Sequence, residues 1–151
     1  MVINTPIGKL TLVSSDNKLT HILHESESPQ NMDNSNDPIL NETAKQLEEY
    51  FAGTRKQFTI PINPPGAPFC KKIWGIMIND VTFGTTTYYS QLAERADSPR
   101  AARAVGMANN RNPIPIIIPC HRVMGKNGSL TGFRWGLDVK KYLLELEGIV
   151  H

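Results

Sequence analysis

The stretch "NPPGAP", residues 63–68, constrains this chain more than any other. Three prolines in six residues remove backbone donors and fix φ, so neither a helix nor a strand ladder can run through them. The pattern also changes across the stretch: apolar residues mostly alternate before it and mostly recur at helical spacing after it. It is therefore read as a linker, 63–68, between an N-terminal domain, 1–62, and a C-terminal domain, 69–151. A chain of 151 residues is long enough for two small domains.

In the first part, "KLTLV" and "LTHIL" flank "SSDNK" and predict a β-hairpin over Lys9–Val13 and Leu19–Leu23. Residues 26–38 are polar and rich in turn formers, and read as a mobile loop. Ala44, Leu47, Tyr50 and Phe51 lie at helical spacing, closed by Gly53. "KQFTIPI" alternates again and predicts a third strand.

The second part reads as helices. Phe69, Ile73, Trp74 and Met77 share one helical face, with Pro68 near the start. Tyr89, Leu92, Ala93 and Ala96 follow at the same period. A second helix is expected at once, capped by Asp97 or Ser98, with Pro99 in its first turn. Two short helices joined by two or three residues form a helix-turn-helix signature. The second carries Arg100 and Arg103 between alanines, small enough to let the backbone approach a nucleic acid; spacing alone favours an ordinary helical hairpin whose alanines pack against a neighbour. A final helix, "LDVKKYLLELEG", places Val139, Tyr142, Leu143 and Leu146 toward a core and Glu147 in its last turn.

Charge follows the same division. Residues 1–64 carry 5 Lys+Arg against 8 Asp+Glu, a net −3, whereas residues 65–151 carry 11 against 6, a net +5. A polyanionic partner would meet the second part. No run of 18 apolar residues exists, and "MVINTPIGKL" lacks the basic and apolar regions of a signal peptide. The expected location is the cytoplasm, or the nucleus in a eukaryote. The only cysteines are Cys70 and Cys120, expected as free thiols. No Cys or His spacing suggests a metal site.

The chemically suggestive residues are in "IIIPCHRV", 116–123. The isoleucines are expected to form a buried strand that Pro119 ends, presenting Cys120. A cysteine acts as a nucleophile through its thiolate, so a base or positive potential must lie nearby. His121 is adjacent, but neighbours on an extended strand face opposite ways. Contact then needs a sharp turn or a bridging water. Asp138, Glu145 or Glu147 could orient the imidazole. On these residues alone, an inert buried thiol and a nucleophile both remain open.

"NPIPIIIPCHRV" resembles the signature of the O6-alkylguanine-DNA alkyltransferases, in which Pro-Cys-His-Arg surrounds the alkyl-accepting cysteine. "TYYSQLA", "SPRAARAVGMANNRNP", "GKNGSLTGF" and "YLLELEG" resemble that family's other C-terminal blocks, in order and spacing. "TPIGKLTL" and "LEEYFAGTRKQFTIPI" resemble its more variable N-terminal domain. The fold this implies is an α/β N-terminal domain, with a small ribonuclease-H-like antiparallel sheet and a helix. A mostly α, winged-helix-like C-terminal domain with a helix-turn-helix follows.

The resemblance implies direct-reversal DNA repair. Double-stranded DNA would be bound in the minor groove by the second helix, with Ala101 and Ala102 at closest approach and Arg100 beside them. Arg103 resembles the family's arginine finger, filling the space of the flipped nucleotide. Tyr89 resembles the tyrosine that assists flipping, and Asn112 the asparagine that braces the turn before the active site. Cys120 would take the alkyl group from guanine O6, His121 would accept its proton through water, and Glu147 would orient His121. The carbonyls of Cys120 and Val123 would read the guanine amino group, and the backbone of Arg134 would donate to O6. The protein would act once, without cofactor or metal; a monomer is expected because the sequence shows no exposed apolar stripe.

Several residues depart from the family pattern. Tyr88 stands where Ser or Thr usually precedes the flipping tyrosine, which shifts the expected cap to Thr87. Phe133 replaces a frequent tyrosine. Arg134 and Trp135 stand where small residues, commonly glycine, are usual. Trp135 would narrow the pocket toward methyl adducts, unless it turns outward. A non-catalytic lesion binder of the same fold is the alternative, although such proteins replace the cysteine. A cysteine hydrolase would need an oxyanion hole that nothing here suggests.

Overall fold

The structure, a computed structural model, describes residues 1–29, 36–125, 128, 130 and 132–149. The chain divides into two compact units, Met1–Pro65 and Gly66–His151. Residues 30–35, six of the thirteen in the loop expected over 26–38, lie outside the described residues; of the others, Ser26 and Glu27 belong to a 3₁₀ turn and Pro38 opens a helix.

In the first unit, β1 (Val2–Thr5), β2 (Gly8–Ser15) and β3 (Lys18–His24) form an antiparallel sheet in the order β1-β2-β3. The hairpin closes through Asp16 and Asn17, both left-handed at φ 52° and 62°, as a two-residue loop matching strand twist requires. β1, not expected from the sequence, pairs along β2 from Val2↔Thr11 to Thr5↔Gly8. Leu10, Leu12 and Ile22 are fully buried, as are Leu40, Leu47 and Tyr50 of α1 (Pro38–Phe51). Asp37 caps α1, its Oδ1 accepting from Ile39 N at 2.9 Å. Ser14 donates to the other oxygen, and this bond first among its causes holds the carboxyl below its ordinary range.

The strand expected at "KQFTIPI" does not form. Residues 56–61 join no ladder, and only Ile62 makes an isolated bridge, to Leu19. Pro61 has no N–H to donate. Its carbonyl accepts from Leu19 N at 2.9 Å, and Thr59 N donates instead to the Gln46 side chain at 3.0 Å. Gln46, not predicted as a core residue, is buried to hold that segment, whereas Ala44 and Phe51 are half-buried.

The second unit holds α2 (Pro68–Asp80), β4 (Thr87–Tyr88), α3 (Tyr89–Arg95), α4 (Ala102–Asn110), β5 (Val123–Met124) and α5 (Leu137–Leu146). β4 and β5 run parallel. Trp74 of α2 is buried and its indole N–H donates to Ala108 O of α4 at 2.9 Å. Gly66 is required there, because a Cβ would lie 2.6 Å from the Trp74 ring.

Details of this unit correct the expectations. α3 and α4 are joined by six residues, 96–101, not two or three. Asp97 turns left-handed at φ 56° and Ala101 N donates to Ser98 O at 2.8 Å. Pro99 and Arg100 thus occupy a turn, and neither Asp97 nor Ser98 caps α4; its N-cap is Ala101. The cap of α3 is Tyr88, not Thr87. Gln91 reaches back, its Oε1 accepting from Thr87 Oγ1 at 2.8 Å and Tyr88 N at 3.3 Å. On α5, Tyr142 is exposed and Lys140 is buried in the core instead.

Nor do the isoleucines form a strand. Ile116 is left-handed at φ 77°, and Ile118 N donates back to Ile114 O at 2.9 Å, closing a compact loop. Such a conformation costs a β-branched residue of the order of 1–3 kcal/mol. Asn112 offsets this from inside the loop, donating to Ile118 O at 2.7 Å and accepting from Ile114 N at 2.9 Å.

Candidate functional site

Pro119, with ψ 62°, turns the chain so that Cys120 N donates to Ile118 O at 2.8 Å. A single 3₁₀ turn, Cys120–Arg122, follows, and all three residues are buried. Side chains around a 3₁₀ turn fan out at about 120°. This replaces the strand geometry under which Cys120 and His121 would have faced opposite ways.

His121 is fully buried and its Nε2 lies 2.6 Å from Glu147 Oε2. Arg122 grips the same carboxylate, Nε to Oε1 at 2.7 Å and Nη2 to Oε2 at 3.1 Å, and donates through Nη1 to Val81 O at 2.8 Å. Gly84 N adds a further bond to Glu147, at 3.2 Å to Oε1. Of the three acidic candidates, Glu147 is the one bonded to His121.

Burial pushes the Glu147 carboxyl up, but bonds and charge from His121 and Arg122 outweigh it and hold the group well below the carboxylate range. Burial drives the His121 pKa down more than Glu147 raises it. The imidazole is therefore neutral near pH 7, with its Nε2 proton directed at Glu147. Nδ1 is a buried acceptor with no hydrogen-bond partner among the described residues. The site thus holds a free imidazole lone pair one residue from a thiol.

Burial pushes the Cys120 thiol up to about 11, against lowering by the Asn112 side chain and the positive charges of Arg134 and Lys140. At rest Cys120 is a thiol and needs a base to become a nucleophile. Lys140 is fully buried, its Nζ donating to Val123 O at 2.7 Å, and burial lowers its pKa to about 8. It is the nearby cation that the sequence reading missed. A signal existed: Lys140, Leu143, Leu144 and Glu147 fall at i, i+3, i+4 and i+7 on one buried face of α5.

A cavity of about 10 Å³ adjoins Cys120, lined by Asn109, Asn112, Pro115, Phe133 and Trp135 among others. That is room for about one water. Trp135 turns inward, only 5% exposed, with its ring 6.0 Å from that of Phe133 in an edge-on contact. Arg134 points across the mouth, donating from Nη1 to Asn110 O, the last residue of α4, at 3.3 Å.

The remaining candidates lie around this centre. Arg103 is exposed on the first turn of α4, while Ala101 and Ala102 are half-buried at its start. Arg100 is exposed but belongs to the preceding turn, not to the helix. Tyr89 opens α3 half-buried, and its hydroxyl lies 3.9 Å from where a Cβ on Gly132 would stand. Val123 is buried at the start of β5 and does not line the cavity. Within "GKNGSLTGF", residues 126, 127, 129 and 131 lie outside the described residues. No described helix is long and apolar enough to cross a membrane.

Residues 1–64 match the family model "6-O-methylguanine DNA methyltransferase, ribonuclease-like domain", and 68–149 its "DNA binding domain". The chain is 41% identical to a methylated-DNA–protein-cysteine methyltransferase of Methanosarcina acetivorans, over 97% of this chain and 96% of that one. The constitutive enzyme of that name from Bacillus subtilis is 39% identical, over 96% and 92%. Among solved structures, Mycobacterium tuberculosis OGT in complex with DNA superposes with TM-score 0.84 at 37% identity, covering 97% of this chain and 90% of that one. An O6-methylguanine DNA methyltransferase of Methanococcus jannaschii gives TM-score 0.73 at 33% identity, over 100% and 95%.

Proposed function

Because the chain belongs to the 6-O-methylguanine DNA methyltransferase family, its activity is direct-reversal DNA repair by methyl transfer from DNA to a cysteine, and we propose that this cysteine is Cys120. The observation that carries the assignment is the relay behind it: a neutral His121 whose Nε2 proton is fixed on Glu147 and whose Nδ1 is open to accept.

The sulfur attacks the alkyl carbon in line. The S–C bond forms as the C–O6 bond breaks, and the bonding pair departs with guanine. The thiol proton passes through a water to His121 Nδ1, and the imidazolium gives it back through water to N1 of the departing guanine, so the imidazole ends neutral. The thioether has no route back, so each molecule acts once, and no step draws on a cofactor or metal. Lys140 and Arg134 place positive charge where the thiolate develops.

The second unit supplies the DNA-binding surface, with α4 in the minor groove. Arg103 is exposed on the first turn of α4, with Arg100 exposed in the turn before it and Arg111 just after it, and Ala101 and Ala102 allow close approach. Arg103 fills the stack and Tyr89 assists extrusion. A base admitted beside Cys120 needs more than about 10 Å³, so the wall of Phe133, Arg134 and Trp135 has to move. Residues 1–62 and 69–151 act as separate domains across the linker 63–68, a division supported by the boundary of the two compact units at Pro65–Gly66. The protein works as a cytoplasmic monomer. Its large exposed apolar residues, Val2, Ile78, Tyr88, Met107, Leu137 and Tyr142, are scattered over several elements.

The deciding experiment mixes the protein with an O6-methylguanine oligonucleotide and measures intact mass. One added methyl, mapped to Cys120 and not to Cys70, is the expected result. Binding without a mass change would favour the non-catalytic lesion binder. Separately, Arg103→Ala is expected to slow repair in duplex DNA by about tenfold or more while leaving transfer from the free base nearly unchanged. Equal losses on both substrates would remove Arg103 from base extrusion.

A further inference from the structure

Asn109, near the end of α4, is 3% exposed and lines the cavity beside Cys120. Its Nδ2 donates to Cys120 O over a long 3.5 Å, which fixes the amide orientation, since the reverse would set oxygen against oxygen. Its Oδ1 is buried and has no hydrogen-bond partner among the described residues. Such atoms are rare in folded proteins and call for a cause.

The other acceptors at this place are largely engaged. Cys120 O already takes Val123 N as well as the Asn109 amide. Val123 O takes the Lys140 ammonium at 2.7 Å, leaving one lone pair. Among the described residues two buried side-chain acceptors have no donor, His121 Nδ1, which the proposed relay uses, and Asn109 Oδ1, which it does not.

We propose that Asn109 is a specificity-determining residue whose Oδ1 accepts a hydrogen bond from the 2-amino group of the O6-alkylguanine brought to Cys120. This rests on Cys120 being the acceptor. On O6-methylguanine that amino group is the only hydrogen-bond donor of the base. O4-methylthymine in DNA has no N–H at all, and O6-methylhypoxanthine differs from the guanine lesion by the amino group alone. A buried acceptor thus selects for the guanine lesion against both, because either alternative leaves Oδ1 unpaired.

The test uses the full chain and three duplexes identical but for the lesion: O6-methylguanine, O6-methylhypoxanthine and O4-methylthymine. Single-turnover methylation of Cys120 is followed for the wild type and Asn109→Leu. The readout is the rate on O6-methylguanine divided by the rate on O6-methylhypoxanthine. Comparing this quotient between proteins cancels differences in extrusion, which belong to the duplex. The quotient is expected to fall about tenfold in Asn109→Leu, and the preference over O4-methylthymine to narrow similarly. A quotient unchanged in the folded variant overturns the proposal and leaves Asn109 a brace for the Cys120 turn. If melting shows that Asn109→Leu does not fold, Asn109→Ala provides the same quotient. No methylation of Cys120 in the wild type would instead overturn the acceptor assignment, and the proposal with it.

Discussion

Glu147→Gln is expected to slow alkyl transfer by about 10²-fold or more and to cost about 3–5 kcal/mol of stability. The carboxylate accepts hydrogen bonds from His121, twice from Arg122, and from Gly84. A glutamine has one oxygen for these donors and sets an NH₂ against the rest. The Arg122 guanidinium is then buried without its counter-charge. The amide can also donate to His121 Nε2, which moves the imidazole proton to Nδ1 and converts that buried acceptor into a donor. Single-turnover transfer and urea melts check the two parts. An unchanged rate profile over about pH 6–9 would remove Glu147 from the relay.

The same substitution has a signature in acid. The folded Glu147 carboxyl lies below its ordinary 4.5, so the unfolded chain binds its proton first. The stability it contributes is complete above that value and is lost as pH falls toward the folded one. His121, held neutral by burial below its ordinary 6.5, makes the native state lose further stability as pH falls through that value. Glu147→Gln should abolish the lower limb and keep the upper one.

Trp135→Ala is expected to raise transfer from O6-benzylguanine by about 10²-fold relative to O6-methylguanine in the same oligonucleotide. The wild type should discriminate against benzyl by a similar factor. The indole is inward, packed edge-on to Phe133, and borders a cavity of about 10 Å³. A packed interior resists added volume at about 1–3 kcal/mol for a few methylenes, and a phenyl ring is larger. Removing the ring should also destabilise the protein by about 3–5 kcal/mol. Equal wild-type rates on the two lesions would show that the indole does not set the limit.

Where backbone preference and burial pattern agreed, the sequence was readable. "SSDNK" between alternating runs specified the hairpin, and "PFCKKIWGIMIND" became α2 with Pro68 at its first position. It failed where side chains override local pattern. "KQFTIPI" alternates like a strand, yet Gln46 and Pro61 hold it without a ladder. "IIIP" looks extended, but Asn112 folds it back and places Ile116 at positive φ. Pro99 suits a helix start, but Asp97 enters the left-handed region first.

The site divides in the same way. Cys120, His121 and Glu147 were named by resemblance, but the His121–Glu147 bond beside Cys120 depends on a 3₁₀ turn that adjacency in sequence does not encode. Lys140 and Asn109 were missed because a lysine and an asparagine on helices normally read as solvated. Their burial follows from tertiary packing around Cys120, visible beforehand only as the i, i+3, i+4, i+7 row on α5.

The positions of Trp74 and Trp135 also determine what a spectroscopist will see. These are the chain's two tryptophans, and both are buried within Gly66–His151. Their emission will redden when that unit opens to water and will report nothing of Met1–Pro65. A melt followed by tryptophan fluorescence is therefore a melt of the alkyl-accepting half. The sheet and α1 of the other half have to be followed by circular dichroism, and any gap between the two curves measures how independently the halves unfold.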